Sequence, residues 1–170
     1  AFQEFIANTA DMINLPGASV AVVQNGEIAY IEGFGVREVG RPAPVTADTL
    51  MRIGSVTKSF SSLLAATLVD AGRLSWDTPI VDLLPDFAMS DPEVTSRLTA
   101  SDAFCACTGL PRRDLEFIFR GHELTPQTMI DSLVDFGLTA DFGERFQYSN
   151  QMVAVGGYAA AVADGGSVRD

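Results

Sequence analysis

The sequence predicts an α/β plus all-α protein, in which a short antiparallel sheet precedes a series of helices. Two β-rich runs, residues 18–24 and 27–34, flank Asn25-Gly26, and this dipeptide is the strongest short signal for a β-hairpin. After Ser55 the apolar residues recur with a helical period instead. A hairpin followed by helices is therefore the expected order of elements.

Residues 1–54 form the N-terminal part of the predicted sheet domain. Residues 1–13 place apolar side chains at near-helical spacing and stop at Pro16-Gly17, which predicts a first helix. The hairpin follows, and after a proline-rich loop a short strand is expected over Thr49–Ile53.

Residues 55–170 form the predicted helical domain. Its expected helices run from Ser55 to Gly72, around Thr99–Phe104, from Pro126 (capped by Thr125) to Gly137, and over about Gln151–Ala163. The last four residues, 167–170, read as the cap and first turn of another helix. Since two or three strands leave sheet edges unpaired, we expect further polypeptide in the native protein, either a C-terminal segment or a second chain that completes the sheet.

The composition excludes several classes of function. A net charge of -11 argues against a nucleic-acid surface or an anionic membrane face. The longest apolar stretch, Met152–Ala163, is too short to span a bilayer and is expected to be a buried helix. The first residues show no signal peptide, although one could have been removed.

No metal and no cofactor are predicted. The chain has one histidine, His122, which excludes a zinc site built from several imidazoles and is expected to be a solvated loop residue. Cys105 and Cys107 are two residues apart, a separation at which disulfide geometry is difficult to reach, so we expect two free thiols buried as small apolar side chains.

The single lysine, Lys58, follows Ser55 by three positions at the start of the predicted helix. Residues at i and i+3 share a helix face, with Cβ atoms about 5–6 Å apart. A hydroxyl and an amine held in this way form a nucleophile with its own proton acceptor. The alternative is a helix-capping serine beside a solvated lysine.

A second motif, Tyr148-Ser149-Asn150, precedes the last predicted helix. Ser55-Val56-Thr57-Lys58 followed by this motif resembles the penicillin-recognising serine hydrolases. The resemblance is closest to the branch with class C β-lactamases, D-Ala-D-Ala carboxypeptidases and β-lactamase-like esterases. The segment Thr108-Gly109-Leu110-Pro111 agrees with that branch. Taken without the first motif, Tyr148 could only pack and Asn150 could only cap the helix.

The resemblance implies a β-lactamase/transpeptidase-like fold with an antiparallel sheet, incomplete in this chain. It also implies that Ser55 attacks an ester or amide carbonyl and forms an acyl-enzyme. Lys58 and Tyr148 would move the proton, and either of them could be the base. Asn150 would orient Lys58 and bind a substrate amide.

Three departures from the family pattern stand in this sequence. The third motif, Lys-Thr-Gly or a variant on a late strand, is absent. Ala106 occupies the position of a family histidine, and Phe142 stands where a proline is usual. In the family, the strand with the third motif gives the other oxyanion N–H and the contacts to a substrate carboxylate. The other two departures concern local packing and loop shape, and the nucleophile is retained.

The predicted function is therefore that of a serine acyl-hydrolase acting on a small-molecule acyl substrate: a β-lactam, a D-amino-acid peptide or a small ester. The alternative is a penicillin-binding, sensor-like or inactive homologue that binds without turnover. Arg112 and Arg113 could bind a substrate carboxylate, or they could be a solvated pair. The resemblance favours a periplasmic or secreted protein, and a cytoplasmic one is also compatible with the sequence.

Overall fold

A computed structural model of the chain describes residues 2–115, 119 and 125–166. The chain divides into two compact units, residues 1–53 and 54–170. The predicted loop histidine, His122, and the helix start expected over residues 167–170 lie outside the described residues.

The N-terminal unit contains the predicted helix and hairpin. Helix α1 is Phe2–Met12, and strands β1 (Gly17–Gln24) and β2 (Glu27–Gly35) pair antiparallel. In the turn, Asn25 and Gly26 have φ angles of 55° and 81°, the two positive values that a type I′ turn requires. The hairpin prediction is thus confirmed.

The prediction of a strand over Thr49–Ile53 is wrong. The described sheet has two strands, and residues 49–53 carry no strand pairing. A β-rich sequence becomes a strand only where a neighbouring backbone offers hydrogen bonds, and the β1–β2 sheet offers none to this segment. Leu50 is 98% exposed, in keeping with an unpaired extended stretch.

The helical unit holds most of the buried core. Its helices are α2 (Thr57–Asp70), α3 (Ile80–Leu83), α4 (Pro92–Arg97), α5 (Ala100–Cys105), α6 (Pro126–Asp131) and α7 (Asn150–Ala163). Helices α2, α3, α5 and α6 all contact α7. The core is centred on fully buried Ile80, Leu98, Leu110, Leu133, Met152 and Val155.

Local signals in the sequence place several helix ends correctly, but the helix predicted from Pro126 to Gly137 ends at Asp131 and continues as a 3₁₀ turn, Ser132–Asp135. Thr125 caps α6 by accepting a hydrogen bond from the backbone N–H of Thr128, and Pro126 is the first helical residue. Thr99 caps α5 in the same way. After α2, Gly72 takes a φ of 69°, the left-handed conformation that commonly follows a helix C-terminus.

Helix α7 is the apolar segment that was expected to be buried. Met152, Val155 and Ala159 are buried, which confirms that expectation. None of the helices in the described residues has the length and apolar character needed to cross a membrane.

The expectation of two free thiols is wrong, because Cys105 and Cys107 form a disulfide. The intervening Ala106 adopts the left-handed conformation at the end of α5, with φ 53° and ψ 41°. This reversal brings the two cysteine Cα atoms to 5.3 Å, within the range that a disulfide needs. An extended residue at position 106 would hold them further apart.

Candidate active site

Ser55 and Lys58 lie where α2 begins. Ser55 is the middle residue of a 3₁₀ turn, Gly54–Val56, that leads into α2, and Lys58 is in the first turn of the helix. Lys58 Nζ is 3.3 Å from Ser55 Oγ. The serine is exposed and the lysine half-buried. The i, i+3 spacing therefore brings the hydroxyl and the amine together, as predicted from the sequence.

Tyr148 approaches the same hydroxyl from the loop that precedes α7. Its Oη is 2.6 Å from Ser55 Oγ, and Lys58 Nζ lies 4.8 Å from the centre of its ring. The neighbouring backbone N–H of Gln147 donates to the carbonyl of Ala106 at 2.6 Å. The loop carrying Tyr148 is thereby anchored to the residue enclosed by the disulfide.

Asn150 is the first residue of α7, and its Oδ1 accepts a hydrogen bond from Lys58 Nζ at 2.5 Å. The cap of α7 is Ser149, which accepts from the backbone N–H of Met152 at 3.1 Å. The alternative role of Asn150 as the helix cap is therefore wrong. Because Ser149 satisfies the helix terminus, the Asn150 amide is available to the lysine.

The surroundings of Tyr148 lower the pKa of its phenol. The largest cause is the hydrogen bond with Lys58, and the hydrogen bond with Ser55 acts in the same direction. Partial burial and the negative charge of Asp114 oppose them with smaller effects. A tyrosine next to a lysine cation thus ionises more readily than a free tyrosine.

Asp114 is a residue of this cluster that the sequence did not single out. Its Oδ1 accepts from Asn150 Nδ2 at 2.8 Å, and its Oδ2 lies 2.5 Å from Arg112 Nε. The Arg112 guanidinium also stands over the Tyr148 ring, 5.1 Å from its centre. The only local signal was an acid two positions after an arginine, a pattern too common to predict a site.

The two arginines weighed as substrate-carboxylate ligands both have partners within the chain. Arg112 pairs with Asp114, and the Arg113 guanidinium stacks over the Phe136 ring at 4.6 Å. The Arg113 carbonyl also accepts from the side chain of Gln151. Both arginines are nevertheless exposed to solvent, as in the alternative of a solvated pair.

A cleft of about 260 Å³ opens beside Lys58 and Tyr148. Its remaining walls are small or apolar side chains: Ser59, Ser62, Phe104, Ala106, Phe146, Ser149 and Val153. Ala106, the residue at the position of the family histidine, contributes only a methyl group to this wall.

Possible metal ligands cluster once in the part of the chain that the structure describes. Asp102, Cys105 and Cys107 bring their ligand atoms within 4.8 Å of one another. The two sulfur atoms are bonded to each other, and Asp102 accepts hydrogen bonds from Thr99. These atoms are therefore engaged in local structure and do not form an open metal site.

The chain is similar in sequence to a known protein family and to several characterised proteins. The family described as Beta-lactamase matches residues 2–170. An unguisins hydrolase of Aspergillus campestris is 33% identical over 164 residues, covering 92% of this chain and 30% of that protein. Penicillin-binding protein 4 of Amycolatopsis lactamdurans is 36% identical over 97 residues, covering 57% of this chain and 25% of that protein.

Solved structures are similar over almost the whole chain. The octameric penicillin-binding protein homologue from Pyrococcus abyssi superimposes with a TM-score of 0.80 and 28% identity, covering 98% of this chain and 39% of that one. A class C beta lactamase gives a TM-score of 0.78 and 25% identity, covering 97% and 44%. The chain thus spans less than half the length of these relatives.

Proposed function

The chain belongs to the beta-lactamase family of serine hydrolases, and on that premise we propose that it carries the nucleophilic site of a serine acyl-hydrolase, with Ser55 as nucleophile. The predicted β-lactamase/transpeptidase-like fold is confirmed by the similarity to solved members over nearly the full chain. The roles of the individual side chains belong to the proposal.

One observation carries this proposal: the Ser55 hydroxyl has two proton-transfer partners within reach. Tyr148 Oη is at 2.6 Å and Lys58 Nζ at 3.3 Å, both compatible with a hydrogen bond to Oγ. A serine becomes a strong nucleophile when an adjacent group accepts its proton. Because Lys58 lowers the pKa of Tyr148, the phenolate is the group we assign as acceptor.

The proposed reaction has two halves. Ser55 Oγ attacks the carbonyl carbon of an ester or amide, and its proton passes to Tyr148. The tyrosine then protonates the leaving alcohol or amine as the carbonyl–heteroatom bond breaks, which leaves an acyl group on Ser55. Water hydrolyses this ester by the reverse proton path and releases the acid.

The N-terminus of α2 would assist the developing oxyanion. Ser55 precedes a helix of 14 residues, whose dipole favours negative charge at this end. We propose that the backbone N–H of Ser55 donates to the oxyanion and that Asn150 contacts a substrate amide.

The proposed substrate is a small-molecule ester or amide: a small ester, a β-lactam or a D-amino-acid peptide. The relatives named hydrolase and penicillin-binding protein support this range of acyl compounds. We further propose that additional polypeptide, in the same chain or a second one, completes the two-stranded sheet, because this chain spans only 30% of the first relative.

Turnover of a chromogenic ester by the natively purified protein tests the proposal. We expect Ser55→Ala to reduce kcat by about 10⁴-fold or more. A fluorophosphonate should add to Ser55, as seen by intact mass and peptide mapping. Ser61→Ala is the matched control, since Ser61 lies on α2 and only donates to the Thr57 carbonyl. An unchanged rate in Ser55→Ala would overturn the assignment of the nucleophile.

A second candidate function is binding by acylation without turnover. It is favoured by the similarity to penicillin-binding protein 4 and to the Pyrococcus abyssi homologue. The same experiment separates the two functions. A penicillin adduct on Ser55 that persists for hours, with no ester turnover, would support binding, whereas an adduct that clears within turnover time would support hydrolysis.

A further inference from the structure

Neither the sequence motifs nor the proposed reaction assigns a role to Asp114. Its side chain is 27% exposed, and its two carboxylate oxygens have different partners. Oδ1 accepts from Asn150 Nδ2 at 2.8 Å, while Oδ2 accepts from Arg112 Nε at 2.5 Å. The carboxylate therefore joins the amide at the start of α7 to Arg112, which lies two residues before Asp114 in the segment that follows α5.

The carboxylate determines which way the Asn150 amide faces. An asparagine amide has a donor end and an acceptor end, whereas an ionised carboxylate can only accept and a lysine ammonium can only donate. With Nδ2 directed to Asp114, Oδ1 faces Lys58 Nζ at 2.5 Å. The reversed amide would set two donors against each other and an oxygen against a carboxylate.

We propose that Asp114 is a positioning residue for the reaction: by orienting Asn150, it holds the Lys58 amine beside Ser55 and Tyr148. This inference rests on the proposed function, which gives those three side chains their roles. Arg112 contacts two members of this arrangement: it pairs with Asp114, and its guanidinium lies 5.1 Å from the centre of the Tyr148 ring.

The charge of Asp114 has a second, separable effect. It raises the pKa of Tyr148, against the larger lowering by Lys58. A neutral side chain of the same shape should therefore leave Tyr148 easier to ionise. Orientation and charge can be separated by comparing Asp114→Ala, which removes both, with Asp114→Asn, which retains an acceptor oxygen for Asn150.

The kinetic test compares these variants by chromogenic ester turnover. Misplacing a reacting group by about 1 Å can reduce the rate about 100-fold, so we expect a kcat loss of that size in Asp114→Ala with little change in KM. Asp114→Asn should recover part of this loss, because its one carbonyl oxygen can accept from Asn150, while its NH2 group then faces the Arg112 donor and that pair is lost. The rising limb of its pH–rate profile should move to lower pH, in line with the easier ionisation of Tyr148.

A control at the other end of α7 separates positioning from stability. Asp164 pairs with Arg73 on the surface, so Asp164→Ala removes a comparable arginine–aspartate pair without touching the site. Equal losses of kcat in Asp114→Ala and Asp164→Ala would overturn the proposal. Wild-type kcat in Asp114→Ala would overturn it as well.

A titration distinguishes failure of this inference from failure of the proposed function. Phenolate absorbance of each protein, minus that of the same protein carrying Tyr148→Phe, reports the ionisation of Tyr148 without any turnover. A lower midpoint in Asp114→Asn supports the coupling even if Ser55→Ala remains active and the proposed function falls. If Ser55→Ala abolishes turnover but the midpoint and kcat of the Asp114 variants match wild type, the proposed function stands and this inference falls.

Discussion

The two units of the chain differ in how they hold their hydrophobic residues. Among the described residues, the N-terminal unit buries one hydrophobic side chain, Val45, and helix α1 buries none. All the other buried hydrophobic residues belong to the helical unit, and its four candidate site residues sit on or next to helices of that core. The buried core and the candidate site therefore lie in the same unit, whereas the hairpin is stabilised mainly by its turn and backbone pairing.

This difference predicts in which unit a substitution should reduce stability or activity most. In the helical unit, a substitution disturbs either the close-packed core or the site side chains, whose hydrogen-bonding atoms lie within 3.3 Å of one another. In the N-terminal unit, Val23 and Ile28 are more than 60% exposed, so removing their methyl groups creates no cavity. The following substitutions test that contrast, beginning with the largest expected effect.

Among these substitutions, the largest effect is expected from Lys58→Met, which removes the main cause of the lowered Tyr148 pKa. If ionised Tyr148 is the base, activity rises with pH through its pKa, and the loss of Lys58 should move that rise to higher pH. We also expect kcat to fall by about 10²–10⁴-fold, the usual contribution of a proton-transfer group. Arg97→Met, which removes a cation stacked on Phe142, is the control, and an unmoved pH profile in Lys58→Met would contradict the coupling.

Next in size is the effect of Leu133→Ala on stability. Leu133 is fully buried, so its truncation should lower the free energy of unfolding by about 2–5 kcal/mol. Ile28→Ala removes a similar side chain from the hairpin, where it is 66% exposed, and should change that free energy by less than about 0.5 kcal/mol. Urea unfolding of both variants measures the difference. Equal losses would contradict the contrast and indicate that the hairpin face is covered in the native protein.

A smaller effect is expected at the hairpin turn itself. Gly26 has a φ of 81° and open space around it, so Gly26→Ala should destabilise the protein by about 1–2 kcal/mol through backbone strain alone. Gly137→Ala is the matched control, because Gly137 also has open space but no positive φ. Unfolding midpoints of the two variants should differ in that direction, and coincident midpoints would contradict the turn assignment.

The smallest effect is expected at the cap of α7. Ser149→Ala removes the acceptor for the Met152 backbone N–H and should lower the free energy of unfolding by about 1 kcal/mol. Ser61→Ala removes a hydroxyl on α2 that only donates to the Thr57 carbonyl, so it should have almost no effect. Thermal unfolding measures both variants, and equal shifts of their melting temperatures would contradict the capping role of Ser149.

The sequence predicted the features that depend on neighbouring residues. Asn25-Gly26 sets the hairpin, Thr125 and Pro126 start α6, and Gly72 follows α2, because each acts through its own backbone conformation. The spacing of Ser55 and Lys58 likewise translates directly into proximity on a helix. Their catalytic roles, together with those of Tyr148 and Asn150, stay predictions that the experiments above address.

The features that escaped prediction depend on distant or unusual geometry. The segment Thr49–Ile53 has strand-forming residues, yet strand formation requires a partner that its own sequence does not encode. The disulfide depends on the positive φ of Ala106, which is uncommon for a residue other than glycine. Asp114 meets Asn150 across 36 positions, a contact that only the packing of the helical unit creates.

The distance along the chain between the two halves of the site has a kinetic consequence. Ser55 and Tyr148 are separated by 93 positions, so their contact closes a long loop and cannot form while the helices are independent. Long-range contacts of this kind are made late and slowly compared with helix formation. Covalent labelling of Ser55 during refolding should therefore report the fraction of molecules in which the loop before α7 has reached the start of α2.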